Sequence, residues 1–170
     1  MRTINKKFAG AVVVAALVAV PAGVALAGSV WSTGPDNTYG AANPFAAAVA
    51  QVHVVDDGSG GSTISLKLKG VDADPGRTFG AHVHRAACGA DPLAAGGHYQ
   101  HTGATGSLEE REVWLDITVN GGGNGQSVTQ RPWTIDQSTL RSVVIHALPT
   151  NEADGTAGAR LACIDLDGTD

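Results

Sequence analysis

"STISLKLKGV", residues 62–71, is the stretch on which the fold class turns. Ile64, Leu66 and Leu68 alternate with Ser65, Lys67 and Lys69, which makes one side of the segment apolar and the other polar. A period of two belongs to a strand whose successive side chains point to opposite faces of a sheet, one buried and one wet. A helix would scatter the same apolar residues around its axis.

The pattern continues in both directions. Upstream, "AVAQVHVVDD" (48–57) leads into the turn "GSGG" (58–61). Downstream come "RTFGAHVHRA" (77–86), "REVWLDITVN" (111–120), "SVTQRPWTID" (127–136), "LRSVVIHAL" (140–148) and "GARLACIDLD" (158–167). In "REVWLDITVN", Val113, Leu115, Ile117 and Val119 share one side, and "NGGGNGQ" (120–126) then supplies a hairpin turn. Short strands spaced by Gly, Asn and Asp turns predict an all-β domain, a Greek-key antiparallel sandwich or barrel of about seven to eight strands. The domain is expected over residues 45–170, with 28–44 ("GSVWSTGPDNTYGAANP") as a mobile lead-in or loose first strand.

Residues 1–27 read as a cleaved secretory signal peptide. Arg2, Lys6 and Lys7 precede the uncharged run "FAGAVVVAALVAVPAGV", and Ala25-Leu26-Ala27 offers a small-x-small cleavage site. A retained membrane anchor is the alternative, disfavoured by Gly10, Pro21 and Gly23 within the run. Cleavage leaves 8 basic against 16 acidic residues. Such an acidic chain is not expected to bind nucleic acid or, once cleaved, a membrane surface. Its place would be outside the cytoplasm, secreted or in the periplasm or cell envelope.

Cys88 and Cys163 are the only two cysteines. For an exported protein an even count favours a disulfide, with two thiolate metal ligands as the rival reading. A bridge would close a loop of about 75 residues, worth roughly 4 kcal/mol on the chain-entropy account.

Four of the six histidines fall between residues 77 and 101. His82 and His84 flank Val83 on a predicted strand, so their side chains share a face and can converge on one ion. His98 sits in the glycine-rich "GGHYQH", inside a 25-residue stretch (85–109) with neither strand nor helix pattern. A loop of that length in a small domain is usually functional. His146 ends an apolar strand; alone it would read as a core histidine, but with the other three it completes a set suited to a transition metal.

Three segments together resemble the copper/zinc superoxide dismutase family, most closely its copper-only members, over residues 48–167. They are "GAHVHRAACG" (80–89), "AGGHYQ" (95–100) and "RSVVIHA…GTAGARLACI" (141–164). The resemblance implies that copper is held by His82, His84, His98 and His146, and that the active-site arginine is Arg160. It pairs Cys88 with Cys163. The implied activity is disproportionation of superoxide, the substrate anion, to dioxygen and hydrogen peroxide by a one-metal redox cycle. A copper donor protein is a possible partner.

The zinc half of the family pattern does not carry over. Only His101 follows His98 before the next strand, at an unmatched spacing, and Trp114 stands where the zinc aspartate belongs. The segment "HALPTNEADGTAGAR" (146–160) is short where the family carries a longer charged loop. A makeshift zinc site from His98, His101 and one of Glu109, Glu110 or Glu112 is the alternative, and nothing in the spacing demands it. One of those acids could instead accept a hydrogen bond from the non-ligating nitrogen of His98. His53 is expected to be an ordinary histidine on an edge-like strand. A non-catalytic copper carrier on the same scaffold is the rival function, and Arg160 argues for catalysis over storage.

Overall fold

A computed structural model describes residues 29–135 and 142–166. The predicted signal peptide lies outside the described residues. Among those described, no helix is long and apolar enough to cross a membrane.

Seven strands of four residues or more form the frame: β1 (Ser29–Gly34), β3 (Val49–Asp56), β4 (Ser62–Lys69), β6 (Ala81–His84), β8 (Gly125–Arg131), β9 (Ser142–His146) and β10 (Arg160–Asp165). Three two-residue strands, β2 (Asn37–Thr38), β5 (Thr78–Phe79) and β7 (Ile117–Thr118), and one short helix, α1 (Leu108–Arg111), complete it. The first sheet has the order β1-β3-β4-β8 and the second β2-β10-β9-β6, while β5 pairs with β7 alone. All pairings are antiparallel. The two large sheets remain separate, so the architecture is a sandwich and not a closed barrel.

Each sheet turns one face inward. Ile64, Leu66 and Leu68 of β4 meet Val52 and Val54 of β3, Val83 of β6, Val143 and Ile145 of β9 and Ile164 of β10 in one core. Val113, Leu115, Ile117 and Val119 join them, as their alternation predicts. Phe45 and Phe79 pack edge to face with centroids 5.0 Å apart.

Three local expectations need correction. Residues 29–34, in the stretch expected to be a mobile lead-in or a loose first strand, form a strand that pairs with β3 over six residues. This makes β3 an interior strand, so His53 is not at an edge. "RTFGAHVHRA" is broken at Gly80, whose backbone N–H donates to Leu148 O while His146 N–H donates to Gly80 O. A side chain there would not fit: a Cβ would stand 2.6 Å from that of Ala157. "REVWLDITVN" begins in α1 and is regular strand only at Ile117–Thr118, because its first half leaves the sheet to cover the second sheet's free edge.

Candidate metal centre

Strand β6 fixes the first two imidazoles. Ala81 and Val83 point into the core, so His82 and His84 point to the outer face of the second sheet, where both are fully buried. Antiparallel pairing with β9 places His82 opposite Val144 and His84 opposite Ser142. His146, at the end of β9, extends the same outer face.

The long loop brings the fourth. His98 forms an isolated bridge with His84, and Tyr99 N–H donates to Val83 O at 2.8 Å. Trp114 bridges to His82 in the same way. The free edge of β6 is thus capped by two short segments, one carrying His98 and the other Glu112, Trp114 and Asp116.

Ring centroids of His82 and His98 lie 4.1 Å apart, of His84 and His98 4.9 Å, and of His82 and His146 5.0 Å. One nitrogen from each of the four histidines lies within 4.8 Å of the other three. Two donors on opposite sides of a metal at bond lengths of about 2.1 Å sit about 4.2 Å apart, so small side-chain shifts close the set on one ion.

The hydrogen bonds of the other ring nitrogens settle which atoms remain to bind. His84 Nδ1–H donates to Gly96 O at 3.0 Å, and His146 Nδ1–H to Gly158 O at 3.2 Å. A carbonyl can only accept, so each Nε2 carries a lone pair. His98 Nδ1–H donates to Glu112 Oε2 at 2.8 Å, which leaves its Nε2 as a donor atom too. At His82 the roles reverse: Thr150 Oγ1–H donates to Asp116 Oδ1 at 2.5 Å and its oxygen accepts from His82 Nε2–H at 2.8 Å. His82 therefore presents Nδ1. His82 Nδ1, His84 Nε2 and His146 Nε2 are buried with no hydrogen-bond partner. A buried orphaned acceptor costs roughly 1–3 kcal/mol, and three beside one another could be satisfied together by one cation.

Electrostatics keep these rings neutral. Burial, reinforced by the neighbouring imidazoles, pushes His82 down to about 2 and His84 to about 3. Burial pushes His146 down to about 4, against the pull of its bond to Gly158. A neutral imidazole is the form that binds metal. Burial pushes the Glu112 carboxyl up, but donors from His98, Trp114 and Gln100 outweigh it and hold the group below its ordinary value.

Arg160 pairs across from His146 at a register shift between Arg160 and Ala162. Such bulges re-aim side chains beside functional sites. Its guanidinium donates to Pro92 O at 2.7 Å and Gly96 O at 2.5 Å, so it braces the loop that carries His98. The Cys88–Cys163 disulfide is formed and ties that loop to β10. His101 lies elsewhere, stacked on Trp133 at 4.5 Å and 3°. Glu109 and Glu110 likewise fall outside the histidine cluster, whereas Glu112 sits directly behind His98.

These features are joined by the decisive comparison: the family model for copper/zinc superoxide dismutase (SODC) matches residues 48–164. The chain belongs to that family. No curated protein matches it. Its fold is similar to that of a SOD-like protein from Bacillus subtilis, with a TM-score of 0.55 and 14% identity over 81% of this chain and 96% of that one. It is also similar to the clock protein EA4, with a TM-score of 0.55 and 14% identity over 81% of this chain and 93% of the other. A mutant of Candida albicans superoxide dismutase 5 aligns with a TM-score of 0.50 and 19% identity, covering 84% of this chain and 94% of that chain. At such identities the likeness concerns the fold.

Asp116 and Thr150 support the histidine cluster through His82 and belong to no motif in the sequence. A signal for Asp116 was present: Glu112, Trp114 and Asp116 alternate with the core-facing Val113 and Leu115, and all three turn toward the histidines. Thr150 comes from a loop 34 residues away and has no periodic signal.

Proposed function

We propose that this protein is a copper-dependent superoxide dismutase acting outside the cytoplasm, similar to the copper-only members of its family. The observation that carries the reading is the convergence of four imidazole lone pairs, each aimed inward by an acceptor outside the cluster. His82 Nδ1 and the Nε2 atoms of His84, His98 and His146 would hold the metal. A set of nitrogen donors of this kind suits copper, which when bound supplies one-electron redox chemistry.

The net reaction takes two superoxide anions and two protons to one dioxygen and one hydrogen peroxide. The chain's own contribution is to admit an anion and keep the donors fixed. Arg160 offers a permanent positive charge next to the cluster: it is the register partner of His146, and its guanidinium shares the Gly96 carbonyl with His84. His98 is the least buried of the four rings and marks the accessible side. The bonds from Thr150, Gly96, Glu112 and Gly158 keep the rings from turning.

Glu112 supports a single-metal reading. It occupies the Nδ1 side of His98, where a second metal would otherwise have to bind. The disulfide and the signal-like N-terminus support export.

The test is reconstitution of the full chain with copper alone, removal of excess metal, and a superoxide assay. One tightly held copper with turnover above that of free copper is expected. Stoichiometric copper without turnover would favour a carrier instead. Growth with both metals followed by elemental analysis checks the second point, and a full equivalent of tightly held zinc would overturn it.

A further inference from the structure

Arg85 has no part in the reading so far, and its surroundings single it out. It is the residue after His84 and is exposed. Its backbone N–H donates to Gly97 O at 3.2 Å, and its side chain lies along Gly97. A Cβ on that glycine would stand 3.2 Å from Arg85 Nη2 and 3.9 Å from Cζ. Gly97 immediately precedes His98. Arg160 holds the neighbouring carbonyl of Gly96 from the other guanidinium. Two arginines therefore grip the Gly96–Gly97 pair next to the most accessible ring of the cluster.

Arg85 also lines an open cavity of about 370 Å³ together with Gly97, His98, Gln100 and Glu112. The carboxylate in that cavity is already committed. Glu112 Oε2 accepts from His98 and Trp114, and Oε1 accepts from Gln100. Arg111 Nη1 in turn donates to Gln100 Oε1 at 3.4 Å, so a further cation stands behind the cavity. Among the described residues Arg85 forms no ion pair. Arg85 is exposed, whereas the Glu112 carboxylate that shares the cavity is buried and engaged by three donors, so on a chain of net charge −5 the guanidinium makes a local positive focus on a surface that otherwise repels anions.

We propose that Arg85 captures small anions at the accessible edge of His98 and passes them toward Arg160. It would supply the positive charge that segment 147–159 does not, since the charged residues there are Glu152 and Asp154. The inference rests on the proposed function for the identity of the natural anion, but the capture itself is measurable without turnover.

The probe is azide, a small monoanion that ligates copper, titrated into the copper-loaded full-length protein and followed by its charge-transfer absorbance. At low ionic strength Arg85→Ala should weaken azide binding and kcat/KM for superoxide about threefold, and Arg85→Glu about tenfold, as expected for loss or reversal of one steering charge. Arg85→Lys should stay within about twofold of wild type, since steering needs charge and not a fork. The differences should fade toward about 1 M of a non-coordinating salt, where screening acts over roughly 3 Å.

Azide affinity unchanged in Arg85→Glu at low salt would overturn the proposal. A loss that persists at high salt, or that Arg85→Lys fails to restore, would overturn it in favour of a structural role. Azide binding that responds to Arg85 in a protein that does not dismute superoxide would uphold the capture and sink the enzymatic reading alone. A protein that holds no copper would sink both.

Discussion

The two large sheets obey one alternation rule and use it differently. On β4 the burial follows the sequence pattern: Ile64, Leu66 and Leu68 are buried while Lys67 and Lys69 face water. On β6 and β9 every residue is buried. The inner residues Val83, Val143 and Ile145 join the common core, as those of β4 do. The outer residues His82, His84 and His146 are covered by the loops around residues 85–116 and 147–159, and Val144 packs with Tyr39, Ala95 and the disulfide. One sheet spends its outer face on solvation; the other keeps it dry so that polar groups there have no water to turn to. A dry face carrying imidazoles with outward-facing protons engaged is prepared for a cation.

The sharpest way to break the contrast is to remove a donor from the dry face. His84→Ala should abolish tight copper binding, with a loss well above the roughly 10–100-fold that removal of a supporting hydrogen-bond partner costs. Metal content after dialysis checks this. The core half of the contrast is broken by Leu66→Ala on β4, expected to destabilise the fold by about 2–5 kcal/mol in denaturant unfolding. Copper stoichiometry should be unaltered in that variant, because Leu66 faces the core and not the histidine cluster.

This contrast also explains what was legible beforehand. Strand β4 declared itself because its two faces meet different solvents. The pairing of His82 with His84 was legible for the same reason, since a valine between two histidines sets both on one side. His98, in a long glycine-rich loop, and His146, ending an apolar strand, were candidates beside that pair by their settings, and the family resemblance added Arg160 and the assignment of all four histidines to copper. What stayed hidden depends on loops crossing long sequence distances. Three acids were candidates to support His98, and only the fold of residues 108–114 selects Glu112 over Glu109 and Glu110. The Asp116–Thr150 pair lies in two segments that meet only because Gly80 allows loop 147–157 to approach β6. The interior position of β3 was hidden because "GSVWSTG" lacks the apolar alternation that marks a strand.

That hidden pair gives the next test. Thr150 holds His82 in the tautomer that frees Nδ1, and Asp116 aligns Thr150 through its hydroxyl and its backbone N–H. Thr150→Ala should weaken copper binding about 10–100-fold, and Thr150→Ser should restore most of it. A fall in affinity in both variants to the same extent would mean that the methyl group, through packing, matters more than the hydroxyl. The copper signature in electron paramagnetic resonance separates the cases, since a turned His82 changes the nitrogen hyperfine pattern and a packing loss does not.

The smallest effect belongs to the wet sheet. His53 is a histidine in the middle of a strand, as His82 is, yet its strand presents it on the outer face, between the register partners Trp31 and Ser65. No cluster of donors among the described residues includes it. His53→Thr keeps a residue suited to a half-buried strand and should leave copper stoichiometry unchanged, with stability moved by less than about 0.5 kcal/mol. Direct comparison with His84→Ala under one dialysis protocol makes the pair decisive. If His53→Thr also lost copper, burial of the outer face could no longer be what separates a metal-binding histidine from an ordinary one in this fold.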